Sequence, residues 1–167
     1  KKKNALDSLA LRKLKGAIRK RESLAATRYL GIPDEQVHFL NLPFYESGKI
    51  QKNPPTQDDI AITNTLISNI KPHQLYAAGD LSDPHGTHRI CLNIIFDSLQ
   101  QLKSNSFMQD CWVWLYRGAW QEFEVHEIEM AVPMSPDQVV RKRKAIFFHQ
   151  SQKDSVMFQG SDDRDFW

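Results

Sequence analysis

A chain of 167 residues suits one domain and leaves room for a sizeable core. Its 41% hydrophobic and 25% charged residues are ordinary for a globular protein, and no apolar run approaches the length of a membrane span, so a transmembrane helix is excluded. Lys and Arg total 22 against 20 Asp and Glu, and the resulting net charge of +2 is too weak a field to argue for nucleic acid. Basic clusters at residues 1–3, 12–15 with 19–21, and 141–144 read as solvated helix faces. Cys91 and Cys111 sit in apolar segments and read as reduced, buried thiols rather than a disulfide framework. The Lys-rich start lacks the apolar core of a signal peptide, which makes the cytoplasm the expected compartment. The missing initial Met and the apolar ending Asp165-Phe166-Trp167 are read as cuts through a larger protein.

In chain order, a first helix is expected over residues 5–30. There Leu6, Leu9, Leu14, Ala17, Ile18, Leu24, Ala25 and Tyr29 keep helical spacing, Gly16 is a point of bending, and Gly31 with Pro33 supplies the stop. Residues 37–42 predict a strand ending at Pro43, followed by a turn-rich loop to Pro55. The second helix begins near Thr56, with Thr56 and Asp59 at capping-box spacing, and ends before Pro72. Its Ile60, Thr63, Leu66, Ile67 and Ile70 are expected to face inward. Residues 74–78 read as a short buried strand, the loop 79–87 follows, and Ile90, Cys91, Ile94, Ile95, Leu99 and Leu102 mark a third helix. Residues 111–116 predict a strand broken at Gly118. Its alternating Trp112, Trp114 and Tyr116, with Trp120 beyond, are expected in the core and under helices rather than stacked on a sugar. Residues 127–132 are a further candidate strand. The last helix is announced by Ser135, Pro136 and Gln138 at the N-cap, N1 and N3 positions, and is expected to run to about Gln150. This alternation predicts an α/β domain of three layers with a mainly parallel sheet, whose ligand crevice lies beyond the carboxyl ends of the strands.

At that crevice the sequence places Asp83-Pro84-His85-Gly86-Thr87-His88, a strand-to-helix junction with two imidazoles three residues apart on one side of a turn. Neutral imidazole is a common metal ligand, and a catalytic zinc takes three protein ligands plus one open position for water. Two histidines do not complete that set, and His38, His73, His126 and His149 are not placed by spacing to do so. On spacing alone this is a weak signal.

The wider context resembles the N-acetylglucosaminyl deacetylases of LmbE type, the PIG-L family. The Asp83-to-His88 run after strand 74–78 is similar to that family's second motif. Arg19-x-x-Glu22 with Ala25, Ala26 and Leu30-Gly31-Ile32 is similar to its R-x-x-E segment, and His149-Gln150-Ser151-Gln152 to its C-terminal H-x-S-Q. Three further stretches resemble the deacetylase-like portion that some bacterial proteins carry behind a glucosamine-6-phosphate deaminase (isomerase) domain. They are Leu42-Pro43-Phe44-Tyr45-Glu46, Ala77-Ala78-Gly79-Asp80-Leu81-Ser82-Asp83, and the run from Trp112 to Trp120.

The resemblance implies an LmbE-like, Rossmann-like domain over residues 1–167, incomplete at its N-terminus, and a zinc cofactor with His88 as a ligand. It implies that His85 acts on the acyl carbonyl or the oxyanion, with Asp83 standing in for the acid that orients it, because Gly86-Thr87 replaces the family's frequent Pro-Asp. Arg19, Glu22 and His149 would line the sugar pocket. The first family motif, A-H-P-D-D, with its His and Asp ligands and its catalytic carboxylate, is absent. Asp58-Asp59 reads as a helix N-terminus and Asp162-Asp163 as a polar tail. The implied partners are an amino sugar or its phosphate and a deaminase domain of the same protein, with a homo-oligomer left open and neither nucleic acid nor membrane expected. The rival to the enzyme is a non-catalytic module that binds a sugar phosphate or regulates an attached deaminase. For Arg19 and Glu22 the competing reading is a surface ion pair worth a few tenths of a kcal/mol.

Overall fold

The computed structural model describes residues 8–47, 52–79, 86–117 and 122–152. They form a mixed α/β structure in two compact units, one from residues 1–39 and 130–167, the other from residues 40–129. Among the described residues no helix is long and apolar enough to cross a membrane.

In the first unit, helix α1 (Leu9–Leu30) starts later than residue 5 because the Ser8 side chain caps it, accepting the Leu11 N–H at 3.3 Å. It runs through Gly16 as one continuous helix. Gly31 ends it at φ 90°, where the Gly31 N–H donates to the Arg28 carbonyl at 3.0 Å and the Ile32 N–H to the Thr27 carbonyl at 2.9 Å. A left-handed residue there satisfies carbonyls that the helix leaves over, and glycine takes that conformation without Cβ strain. Just beyond, Arg28 grips Asp34 with two prongs, its Nε donating to Oδ1 at 2.6 Å.

Helix α2 of this unit (Pro136–Ile146) has the expected start. Ser135 Oγ accepts the Gln138 N–H at 3.3 Å, and Gln138 Oε1 accepts the Ser135 N–H at 2.7 Å. It stops at Ile146 rather than near Gln150. A short 3-10 turn, Gln150–Gln152, follows. The two helices are in contact, and each buries one small residue, Ala26 on α1 and Ala145 on α2.

The second unit begins with a 3-10 turn at Pro43–Ser47, followed by α3 (Gln57–Ile70), β1 (Gln74–Ala78), α4 (Thr87–Leu102) and β2 (Trp112–Tyr116). β1 and β2 pair in parallel from Gln74 with Trp112 to Ala78 with Tyr116, so β1, α4 and β2 make one strand-helix-strand crossover. α3 packs on α4, and α4 on β1. The core is Phe44, Ile60 and Ile94, with Leu42, Ile90 and Cys91 around it. Both cysteines are free and half-buried, and burial pushes the Cys111 thiol above its usual range.

Two expected strands are not formed. Residues 37–42 have no ladder partner among the described residues, and Asn41 sits at φ 50°, outside the extended region. Residues 125–127 close instead into a 3-10 turn, where the Glu127 carboxylate accepts the Glu124 N–H at 3.1 Å, and no strand follows over 128–132. The sheet formed by the described residues is therefore the single β1–β2 pair.

The expectation for the aromatics is corrected as well. Trp112 is 68% and Tyr116 56% exposed, and Trp114 is half-buried, with the Trp112 and Trp114 rings 6.5 Å apart. Alternation put these three on one face of β2, where Trp112 and Tyr116 stay exposed while the Trp114 indole N–H is shielded from solvent. Trp120 lies outside the described residues.

Gly79 is buried at the carboxyl end of β1. Its N–H donates to the Tyr116 carbonyl at 2.8 Å, and a Cβ there would lie 2.9 Å from the Leu115 Cβ. That neighbour sits against the backbone and cannot rotate away. Gly79→Ala is therefore expected to cost about 1–3 kcal/mol by overpacking, read as a drop in the urea midpoint with an unchanged slope.

Candidate functional site

The structure places the candidate residues in both units. Asp83 and His85 lie outside the described residues. His88 occupies the second position of α4, directly after Thr87, and is half-buried with its Nδ1 shielded from solvent. Gly86 precedes the helix as its N-cap residue, in a left-handed conformation at φ 67°. His88 thus stands at the helix end adjoining the carboxyl ends of the parallel strands, where open α/β sheets hold their ligands. His88 supplies one imidazole, and no group of three His, Cys, Asp or Glu side chains that could hold a metal occurs among the described residues. A catalytic zinc needs three such ligands, so these residues alone do not make its site.

Arg117 is a residue that sequence reasoning passed over. It follows the last residue of β2, its guanidinium lies 4.1 Å from the centre of the Phe123 ring, and Nη1 donates to the Glu122 carbonyl at 3.3 Å. Its Nε is buried without a hydrogen bond among the described residues. The only advance signal was a basic residue one position past a predicted strand.

In the first unit, Arg19 and Glu22 lie on α1 and His149 lies between α2 and the Gln150–Gln152 turn. The Glu22 carboxylate reaches Ser151, 129 residues away in the chain, accepting its N–H at Oε1 and its hydroxyl at Oε2, both at 2.6 Å. The Ser151 hydroxyl is the chief reason that Glu22 sits below the usual carboxylate range. A partial desolvation opposes it, and the Ser151 amide and the charges of His149 and Arg19 reinforce it. Glu22 is thus tied into the H-x-S-Q turn while also lying in the field of Arg19, three residues before it on α1. Ser151 is the serine of the H-x-S-Q motif, and its position there was the one signal in the sequence that could have pointed to it.

Asp58-Asp59 is a helix N-terminus, as expected, but Asp59 does more than cap. It is fully buried, with Oδ2 accepting the Thr56 N–H at 2.8 Å and the Thr56 hydroxyl at 3.1 Å, while Oδ1 accepts the Phe44 N–H at 3.0 Å. Burial pulls its pKa upward, yet these donors together pull harder and the net shift is down.

With a mixed α/β chain and these residues in place, comparison with known proteins adds one relationship. The chain is similar to a Bacteroides thetaiotaomicron protein named by likeness as "glucosamine-6-phosphate deaminase-like", with 49% identity over 169 aligned positions. The match covers all of this chain but only 26% of that protein, so the chain spans about a quarter of its relative's length. No protein-family profile matches the chain, and no solved structure matches it.

Proposed function

We propose that the chain carries the H-x-x-H, R-x-x-E and H-x-S-Q elements of a zinc-dependent amide hydrolase of the N-acetylglucosaminyl deacetylase type. In this reading the fold is the three-layer, Rossmann-like one of that family, and the reaction is removal of an N-acetyl group from an amino sugar or its phosphate. The observation that carries the reading is the placement of His88 on the first turn of α4, next to the carboxyl ends of a parallel strand pair. The name of the relative supports a link to glucosamine-6-phosphate metabolism, in which deamination itself would belong to residues outside this chain.

His88 would be one metal ligand, and His85 would stabilise the charge that develops on the acyl oxygen, with Asp83 orienting it. Arg19 and His149 would contact the sugar side, and Arg117 offers a cation for a phosphate. The test is acetate release from N-acetylglucosamine and its 6-phosphate by the full-length protein. Release from either supports the reading, whereas zinc-replete protein that releases none from both overturns it.

A further inference from the structure

We infer that Glu22 is a positioning residue, a clasp that closes the His149-to-Ser151 turn onto α1, rather than a group that contacts the sugar. Both of its oxygens are engaged by a single residue, one through an amide and one through a hydroxyl, at 2.6 Å each. Hydrogen bonds to an ionised carboxylate are short and among the stronger ones available to a side chain. The same helix grips the chain on the other side of His149 as well. The Tyr29 and Phe148 rings pack with centroids 5.3 Å apart, and Arg141 donates to the Tyr29 carbonyl at 3.1 Å. His149 is therefore bracketed by two residues anchored on α1, Phe148 through its ring and Ser151 through Glu22.

Ordering a short exposed turn costs conformational entropy for each residue fixed, and the clasp ties Ser151, beyond His149, directly to α1. The positioning role rests on the deacetylase reading, in which His149 belongs to the site, but the clasp is measured without substrate or metal.

Hydrogen exchange followed by mass spectrometry on the full chain tests it. In Glu22→Ala, a peptide covering residues 149–152 is expected to exchange about fivefold faster than in wild type. Glu22→Gln should restore near wild-type exchange, because its carbonyl accepts the Ser151 N–H and its amide donates to the Ser151 hydroxyl. The His149 ring signals in NMR should move in the Ala variant and return in the Gln variant. Alanine favours helix, so peptides from residues 9–21 should exchange unchanged. Ser151→Ala, which removes only the hydroxyl donor, should fall between. Unchanged exchange in Glu22→Ala, or Glu22→Gln exchanging as fast as Glu22→Ala, overturns the clasp. If the turn loosens as expected while the protein releases no acetate, the clasp stands and the deacetylase reading falls.

Discussion

Replacing Asp59 by alanine is expected to destabilise the second unit by about 2–4 kcal/mol, because it strips acceptors from three donors at once. Phe44 loses the partner of its buried N–H, and Thr56 loses the partner of both its N–H and its hydroxyl. The loss spreads beyond the cap of α3. Phe44 is 2% exposed and packs with Ile60 and Ile94, so freeing its backbone loosens the centre of the core. Asp59→Asn keeps the shape but has one acceptor oxygen where two are used, and it should recover only part of the loss.

The same carboxylate makes stability depend on pH with a definite sign. Its folded pKa lies below the ordinary value of about 4, so the folded state favours the ionised form. Its stabilisation is fully present above pH ~4 and is lost as pH falls through the lowered folded value. Urea unfolding of wild type and Asp59→Asn at pH 7 and near pH 3 checks this. The gap between the two should narrow in acid, and a gap that is constant or widens would show that Asp59 does not titrate as the geometry requires.

The second large effect is expected at His88. In the proposed deacetylase, His88→Ala removes an imidazole ligand, so stoichiometric zinc in the full-length protein should be lost and acetate release should fall by at least about 100-fold. Metal analysis separates this from simple unfolding when paired with circular dichroism, since His88 is a half-buried residue on the first turn of α4 and not part of the Phe44 core. Freshly purified full-length protein without metal, or a His88→Ala variant that keeps its zinc, would remove the basis for a metalloenzyme. The non-catalytic module that binds a sugar phosphate would then be the reading to pursue.

Much of the local structure was legible before any coordinates, and the reason is that its determinants are local. Ser135 and Gln138 cap each other across three residues, Asp59 reaches back to the Thr56 N–H, and α1 closes with the Gly31 N–H on the carbonyl three residues earlier and the Ile32 N–H on the one five residues earlier. The β1, α4 and β2 segments were readable from their apolar periods. The failures have a common cause. Residues 37–42 and 127–132 have strand-like composition, but a strand exists only where another strand offers a ladder, and composition carries no information about that partner. The aromatic alternation of β2 correctly put Trp112, Trp114 and Tyr116 on one face, and could not say whether anything covers it.

The candidate site divides along the same line. Motif residues such as Arg19, Glu22, His88 and His149 could be named from the sequence because their spacing resembles a known family. What only the tertiary structure decided is which atoms they meet. Glu22 and Ser151 are 129 residues apart, and Asp59 and Phe44 are 15 apart, separations at which no helical or strand period relates two side chains. By itself the sequence determined the caps at Thr56 and Ser135 and the stop at Gly31, since those depend on hydrogen bonds within a turn or two. The tertiary structure alone turned one motif glutamate into a clasp and one helix-capping aspartate into a buried anchor, because only packing brings a distant backbone N–H within 3 Å of a carboxylate.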